Sequence, residues 1–413
     1  PLADDAPLPT RAGLEKALAP YVGRSALGAH GGVSVRDVAT GRELYGKDSG
    51  GAYLPASTTK VLTAAAVLSA LGPDHRFQTT VVTGAEPGRI VLVGGGDPLL
   101  ATKRAWSRHE DAVRDRQYPV PATIDELAAR TAKRLASDGQ KTVSVRYDES
   151  LFAEKVSPHW RSIYVSSGVV APISALWVDE AKLEWPARGP RSDDPPSTAA
   201  KAFVAALERN GVTVTGTPTA GKAPADARAL ASVASPPLSR LVEQMLLTSD
   251  NDSAEVLARH VAVADGRPVT FAGMSEAILA RVRKLGADVS RVRLHDGSGL
   301  SRDNRIPPSV LTQVLTIAAD DDHPELRSVL TGLPVAAYSG SLSGRYLYAG
   351  EDGAGLVRAK TGTLTGVSTL AGIVPTKDGA LLAFSVMSDR GAPVDPRIGI
   401  DRAAAALTAC GCR

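Results

Sequence analysis

Ser57 and Lys60 stand three residues apart in Pro55-Ala56-Ser57-Thr58-Thr59-Lys60, directly before the apolar run Val61-Leu62-Thr63-Ala64-Ala65-Ala66-Val67-Leu68. On a helix that spacing puts both side chains on one face, with Cβ atoms about 5–6 Å apart. A serine hydroxyl beside a lysine amine suits nucleophilic chemistry. An amine pressed against apolar surroundings loses its proton and can then take one from the hydroxyl. N–H groups in a first helical turn lack intrahelical partners, so the Ser57 N–H is expected to be free to donate to an oxyanion. The plain alternative is a helix cap, the commonest role of Ser or Thr at a helix start. Alone, the pattern is short and unspecific.

Two further short motifs follow in order, Ser249-Asp250-Asn251 and Lys360-Thr361-Gly362-Thr363, and each of the three occurs once in the 413 residues. The set resembles the active-site serine penicillin-recognising enzymes, the penicillin-binding proteins and serine β-lactamases. The gap of 192 residues between Ser57 and Ser249 narrows the likeness, as do Gly95-Gly96-Asp97-Pro98 and Asp296-Gly297-Ser298-Gly299-Leu300-Ser301. Together they resemble the class C low-molecular-mass penicillin-binding proteins, the D-Ala-D-Ala carboxypeptidase/endopeptidase family, from about residue 30 to residue 409.

The resemblance implies a serine D,D-peptidase acting on D-Ala-D-Ala-type bonds of peptidoglycan stem peptides through an acyl-serine intermediate. β-Lactams would acylate and inhibit it. Ser57 is then the nucleophile and Lys60 its base. Ser249 relays a proton to the leaving amine, tuned by Lys60 or Lys360, and Asn251 binds substrate and holds Lys60. Lys360, Thr361 and Thr363 suit a substrate carboxylate on an edge strand whose unpaired backbone groups let an extended peptide add alongside. The Thr363 N–H is the second oxyanion donor, and Gly362 allows close approach. Arg302, Leu364 and Thr365 are expected to border the same pocket, although Arg302 could equally form a surface ion pair. Trp160 is either an aromatic wall or a buried structural residue. No cofactor or metal is expected, and no histidine is assigned to catalysis.

Two other readings compete. A β-lactamase needs a positioned carboxylate for deacylation, and no E-x-x-L-N-type stretch lies between the first two motifs. An inert cell-wall binding protein has no need to keep all the motif residues.

The elements that must position these groups follow from patterning. The stretch Pro55–Lys60 reads as the first turn of a buried helix that continues through the apolar run and stops at Gly72-Pro73. Gly32–Val38 and Arg42–Tyr45 read as a hairpin. Leu238, Leu241, Val242, Met245 and Leu246 form a helical stripe that runs into Ser249-Asp250-Asn251, and a second helix is expected with Asp252 as N-cap and Glu255 three residues on. Leu356–Lys360, Leu364–Val374 and Ala380–Ser388 read as strands, and Asp401–Ala409 as a closing helix. Residues 101–121 look like a charged surface loop and 187–197 like a linker. That linker is too short to hold the further domain that the family often nests there. Strands at both ends with helices between suggest an α/β (α+β) fold of the serine β-lactamase/transpeptidase type, an antiparallel sheet flanked by helices plus an all-helical cluster. Residues 1–73 and 237–413 would form the catalytic domain and 74–236 an inserted accessory domain.

Composition is compatible with this. A chain of 413 residues exceeds one compact core, and 43% hydrophobic with 22% charged residues is ordinary for a globular protein. The net charge of +3 is small and carries no basic-aromatic cluster for nucleic acid. Apolar runs of about a dozen residues are too short for a transmembrane helix. Pro1-Leu2-Ala3-Asp4-Asp5 looks like a trimmed start, so an extracytoplasmic location after loss of an export signal is expected. Cys410 and Cys412 could form a small disulfide or remain free thiols.

Overall fold

The alternating segments Gly31–Asp37 (β1) and Glu43–Lys47 (β2) pair as an antiparallel hairpin. In the computed structural model, which describes residues 6–112, 118–184, 189–391 and 395–412, that hairpin is completed from the far end of the chain. The middle region contributes β3 (Gln78–Thr83), β4 (Arg89–Val93), β5 (Thr142–Asp148), β6 (Thr213–Val214), β7 (Thr219–Ala220) and β8 (Ala229–Ala234). The last strands are β9 (Arg358–Leu364), β10 (Val367–Pro375) and β11 (Leu381–Ser388).

Two sheets result. The first is antiparallel throughout, in the order β2-β1-β11-β10-β9. One face packs on helices Arg11–Val22 and Pro396–Thr408 around Leu14, Leu18, Val33, Leu370, Phe384 and Ala403. Helix Pro308–Ala319 covers the other face. The Thr10 N–H donates to the Cys412 carbonyl at 2.7 Å, and Cys410 and Cys412 are joined in a disulfide. The second sheet, in the order β6-β5-β4-β3-β8 with β7 on β5, is mixed and lies wholly within residues 74–236. Helices Ile124–Ser137 and Pro195–Arg209 share its core.

Helix Thr59–Leu71, buried at every residue from Thr59 to Leu68, runs through the helical cluster. A helix apolar on all sides belongs at a core centre, and helices Leu238–Thr248, Asn251–Ala264, Phe271–Lys284 and Pro308–Ala319 surround it. Phe77, Phe152, Trp160 and Trp177 from the middle region join the same core. The glycine run is a packing device. A Cβ on Gly95 would lie 1.8 Å from the Gln78 carbonyl oxygen, and one on Gly96 would lie 2.4 Å from His260 Nε2.

Several elements depart from expectation. Lys103–Ala112 is a helix, not a loop. Its Lys, Arg, Ala and Glu are strong helix formers, but few apolar residues mark the period; residues 113–117 lie outside the described part. The presumed linker ends in the first turn of helix Pro195–Arg209, which starts with proline and is capped by Asp194; residues 185–188 also lie outside the description. The closing helix begins earlier, at Pro396 with Asp395 as cap. The strand motif belongs to a longer β9, which reaches Leu364 and turns at Gly366, where φ is +75°.

Candidate active site

Ser57 sits one step ahead of its expected place. It lies in a 3-10 turn, Ala56–Thr58, that feeds the α-helix starting at Thr59. Ala56 has φ +47°, in the left-handed region that residues with a Cβ seldom adopt. The turn is held from two sides. The Pro55 carbonyl accepts from Thr58 Oγ1 at 2.7 Å and Thr369 Oγ1 at 2.8 Å. The Ala56 carbonyl accepts from Thr59 Oγ1 at 2.9 Å and lies where a Cβ on Gly299 would be only 1.9 Å away. Strain of this kind persists only where surrounding structure enforces it. No carbonyl among the described residues accepts from the Ser57 N–H.

Lys60 is fully buried. Its Nζ donates to Ser57 Oγ at 3.1 Å, Asn251 Oδ1 at 2.8 Å and the Ser298 carbonyl at 2.7 Å. Burial lowers its pKa to about 8, against the opposing pull of the Asp250, Asp296, Glu255 and Asp252 charges. About a tenth of the amine is therefore neutral at pH 7, and more above it, in a form able to accept the Ser57 proton.

Ser249 ends helix Leu238–Thr248 in the left-handed conformation, φ +61°. Its Oγ accepts from Lys360 Nζ at 2.9 Å. Lys360 also donates to the Thr361 carbonyl at 2.8 Å. It too is fully buried, and its pKa is depressed first by burial, then by the charges of Lys60 and Arg345. Asn251 uses its other amide atom to donate to the Val169 carbonyl at 2.9 Å. The intervening Asp250 is the N-cap of helix Asn251–Ala264 and accepts from the Asp252 N–H at 2.9 Å. That corrects the expected cap at Asp252. Asp252 is instead buried, with the Ala171 N–H at 2.7 Å and Arg191 at 2.7 Å.

The β9 edge offers backbone donors by simple alternation. The Ala359 N–H points away from β10, to the Pro334 carbonyl at 2.9 Å. The β9–β10 register is unbroken, so Thr361 and Thr363 share that outward orientation. Gly362 is required here, because a Cβ would stand 2.1 Å from Thr369 Oγ1 and 2.6 Å from the Pro55 carbonyl oxygen. The Thr361 hydroxyl pairs with Ser341 Oγ at 2.7 Å.

Of the outer residues, Arg302 donates to the Thr365 carbonyl at 2.9 Å, so the two do meet beside the end of β9. Leu364 packs on Leu54, Ala56 and Val367, beneath the Ser57 turn. Trp160 is buried and donates from Nε1 to Asp296 Oδ2 at 2.9 Å, the structural role of the two considered.

Three supports are not read as such from the sequence, although Asp296–Ser301 and Glu255 stand out there for other reasons. Asp296 also accepts from the N–H groups of Gly299 at 2.9 Å and Ser301 at 2.6 Å, and from Asn304 Nδ2 at 2.7 Å. Glu255 is no part of a capping box. It accepts from the N–H groups of Gly297 at 3.0 Å and Ser298 at 2.8 Å and faces Arg259 at 3.4 Å. Burial and then the Asp296 charge raise its pKa to about 7. Both carboxylates shape the loop that presents the third, the Ser298 carbonyl, to Lys60.

The D-Ala-D-Ala carboxypeptidase 3 (S13) family matches over residues 14–189 and 186–408. The chain belongs to that family. Among S13-like relatives, Carboxypeptidase DacB of Mycolicibacterium smegmatis is 38% identical over 417 residues, covering 100% of this chain and 87% of the relative. The D-alanyl-D-alanine carboxypeptidase of Actinomadura is 33% identical, covering 88% of this chain and 78% of the relative. The crystal structure of penicillin binding protein 4 (dacB) from Haemophilus influenzae superposes with TM-score 0.74 at 21% identity, over 96% of this chain and 98% of that one. It shares the S13 chain's fold. No helix among the described residues is long and apolar enough to cross a membrane.

Proposed function

We propose that the protein is a serine D,D-peptidase that hydrolyses D-Ala-D-Ala-type bonds of peptidoglycan stem peptides, acting outside the cytoplasmic membrane, with β-lactams as covalent inhibitors. One observation carries the reading: three distant motifs converge on two linked pairs, Ser57–Lys60 with Asn251, and Ser249–Lys360. Residues 1–73 and 237–413 are taken as the catalytic unit and 74–236 as its accessory domain.

Neutral Lys60 takes the proton of Ser57 Oγ, and the oxygen attacks the carbonyl carbon. The oxyanion receives the N–H groups of Ser57 and Thr363. The proton passes through the Ser249 hydroxyl, held by Lys360, to the departing amine as the C–N bond breaks. Water then cleaves the ester and restores Ser57. Thr361, Thr363 and Lys360 hold the substrate carboxylate, while Arg302, Leu364 and Thr365 border the acyl side.

The test is intact-mass analysis after benzylpenicillin, followed by peptide mapping. The expected result is one adduct on Ser57, lost in Ser57→Ala, with D-alanine released from a D-Ala-D-Ala-ended stem peptide. Absence of both adduct and hydrolysis would sink the reading.

A further inference from the structure

Behind the Ser249–Lys360 bond lies a cavity of about 210 Å³ that the chemistry above does not use. Residues 331–340 form its outer wall. The Ala359 N–H donates to the Pro334 carbonyl and the Ala336 N–H to the Val357 carbonyl, both at 2.9 Å. That pairing closes the start of the β9 edge and separates the cavity from the edge beside Thr361 and Thr363. The same segment touches helix Leu238–Thr248 at two glycines. A Cβ on Gly332 would stand 2.7 Å from Glu243 Cα, and one on Gly340 2.3 Å from the Leu247 carbonyl oxygen. Between them the chain turns at Ala337, φ +59°, and leaves the space open.

The lining is chemically specific. Gln244 is only 6% exposed, and its amide has no hydrogen-bond partner among the described residues. A buried amide without partners calls for a ligand that both donates and accepts. Arg358, on the same face of β9 as Lys360, carries no ion pair or side-chain hydrogen bond among the described residues. An unpaired guanidinium suits a carboxylate, which it grips with two parallel hydrogen bonds. Glu243 is not free for an ammonium group, since Arg240 at 2.6 Å and the Thr331 hydroxyl at 2.6 Å engage it. A free amino acid therefore leaves its positive charge unmatched, whereas an N-acylated one brings the amide that Gln244 lacks. Leu247 and Leu333 supply an apolar wall. The volume falls short of the roughly 300–1,000 Å³ of a drug-sized site and suits a molecule of amino-acid size.

Gln244 stands about 7.5 Å before Ser249 along its helix, and Arg358 about 7 Å before Lys360 along β9. A ligand joined to both ties the helix that ends in Ser249 to the strand that carries Lys360, and so holds the 2.9 Å bond between them. We propose that this cavity is an effector site for a small N-acylated amino acid, whose binding stabilises the Ser249–Lys360 pair and speeds acylation of Ser57. The effect on acylation rests on the peptidase reading above; the binding does not.

The probe is N-acetylglycine, with glycine as control, titrated calorimetrically into the wild-type chain, Arg358→Ala, Arg358→Lys and Gln244→Leu, before and after treatment with benzylpenicillin. The expected result is one site that survives benzylpenicillin and prefers N-acetylglycine to glycine by about tenfold or more. Affinity should fall about tenfold or more in Arg358→Ala and in Gln244→Leu, and recover in part in Arg358→Lys, which keeps the charge. Saturating N-acetylglycine should raise the rate of benzylpenicillin acylation about twofold or more in the wild type and leave that of Arg358→Ala unchanged. No binding, binding lost after benzylpenicillin, equal binding of glycine, or full affinity in Arg358→Ala overturns the site. Binding with no change in acylation rate overturns its effector role. A wild-type chain that takes no benzylpenicillin overturns the peptidase reading instead, and the Arg358 variants still decide the site.

Discussion

The Trp160 indole N–H donates to Asp296 Oδ2 at 2.9 Å, and through that bond the middle region of the chain braces the loop that holds Lys60. Trp160→Phe keeps the ring but leaves the buried carboxylate one donor short, a cost of about 1–3 kcal/mol. The expected outcome is a lower melting temperature together with slower acylation by benzylpenicillin. Acylation at the wild-type rate would mean that the loop stands without this brace.

With Lys60 as the proposed base, the reaction should depend on pH. Its pKa is lowered to about 8 by burial, so the neutral amine grows as pH rises through that value. Acylation by benzylpenicillin should rise about tenfold from pH 7 to pH 9 and then level. Lys60→Arg, which cannot give up its proton, should be inert. A flat profile across this range would remove Lys60 as the base. Linkage has a definite sign here: the folded value lies below the ordinary 10.5, so the unfolded chain binds more protons between about 8 and 10.5, and this group's contribution to stability rises with pH in that window.

Gly362→Ala should be severe for a steric reason. The added methyl meets Thr369 Oγ1 and the Pro55 carbonyl, which fix the Ser57 turn. Overpacking of this sort costs about 1–3 kcal/mol. The larger effect falls on chemistry, because the turn must shift relative to the Thr363 N–H. Benzylpenicillin labelling should fall by at least about a hundredfold while the far-ultraviolet circular dichroism keeps its wild-type form.

Glu255→Ala removes the acceptor of two loop N–H groups and takes from the fully buried Arg259 the carboxylate it pairs with. Breaking a buried pair from one side costs about 3–5 kcal/mol. A thermal melt should show the loss. Glu255→Gln, which keeps an acceptor oxygen, should recover part of the acylation rate; equal damage in both variants would assign the effect to charge alone.

Local chemistry was readable where local rules govern it. The nucleophile helix, the Leu238–Thr248 stripe and the β1–β2 hairpin follow from periodicity, and the motifs named the residues that meet around Ser57. What escaped was set by tertiary contact. Ala56 gives no hint of a left-handed backbone, since contacts distant in sequence, from Gly299 and Thr369, help impose it. Asp252 and Glu255 look like a cap and its partner, yet both are drawn inward by Arg191 and by the Gly297–Ser298 amides. Helix Lys103–Ala112 lacks the apolar period that would reveal it.

The strand order carries a consequence for biosynthesis. β1 pairs on one side with β2, made moments later, and on the other with β11, from the last tenth of the chain. Pairings of such high sequence separation close late and slowly. A chain still emerging holds an unfilled strand edge, and until Arg358–Leu364 has been made it has no wall opposite Ser57. Acylating ability is thus among the last properties a nascent molecule acquires. A truncated product lacking β9–β11 is expected to be inert toward both substrate and antibiotic.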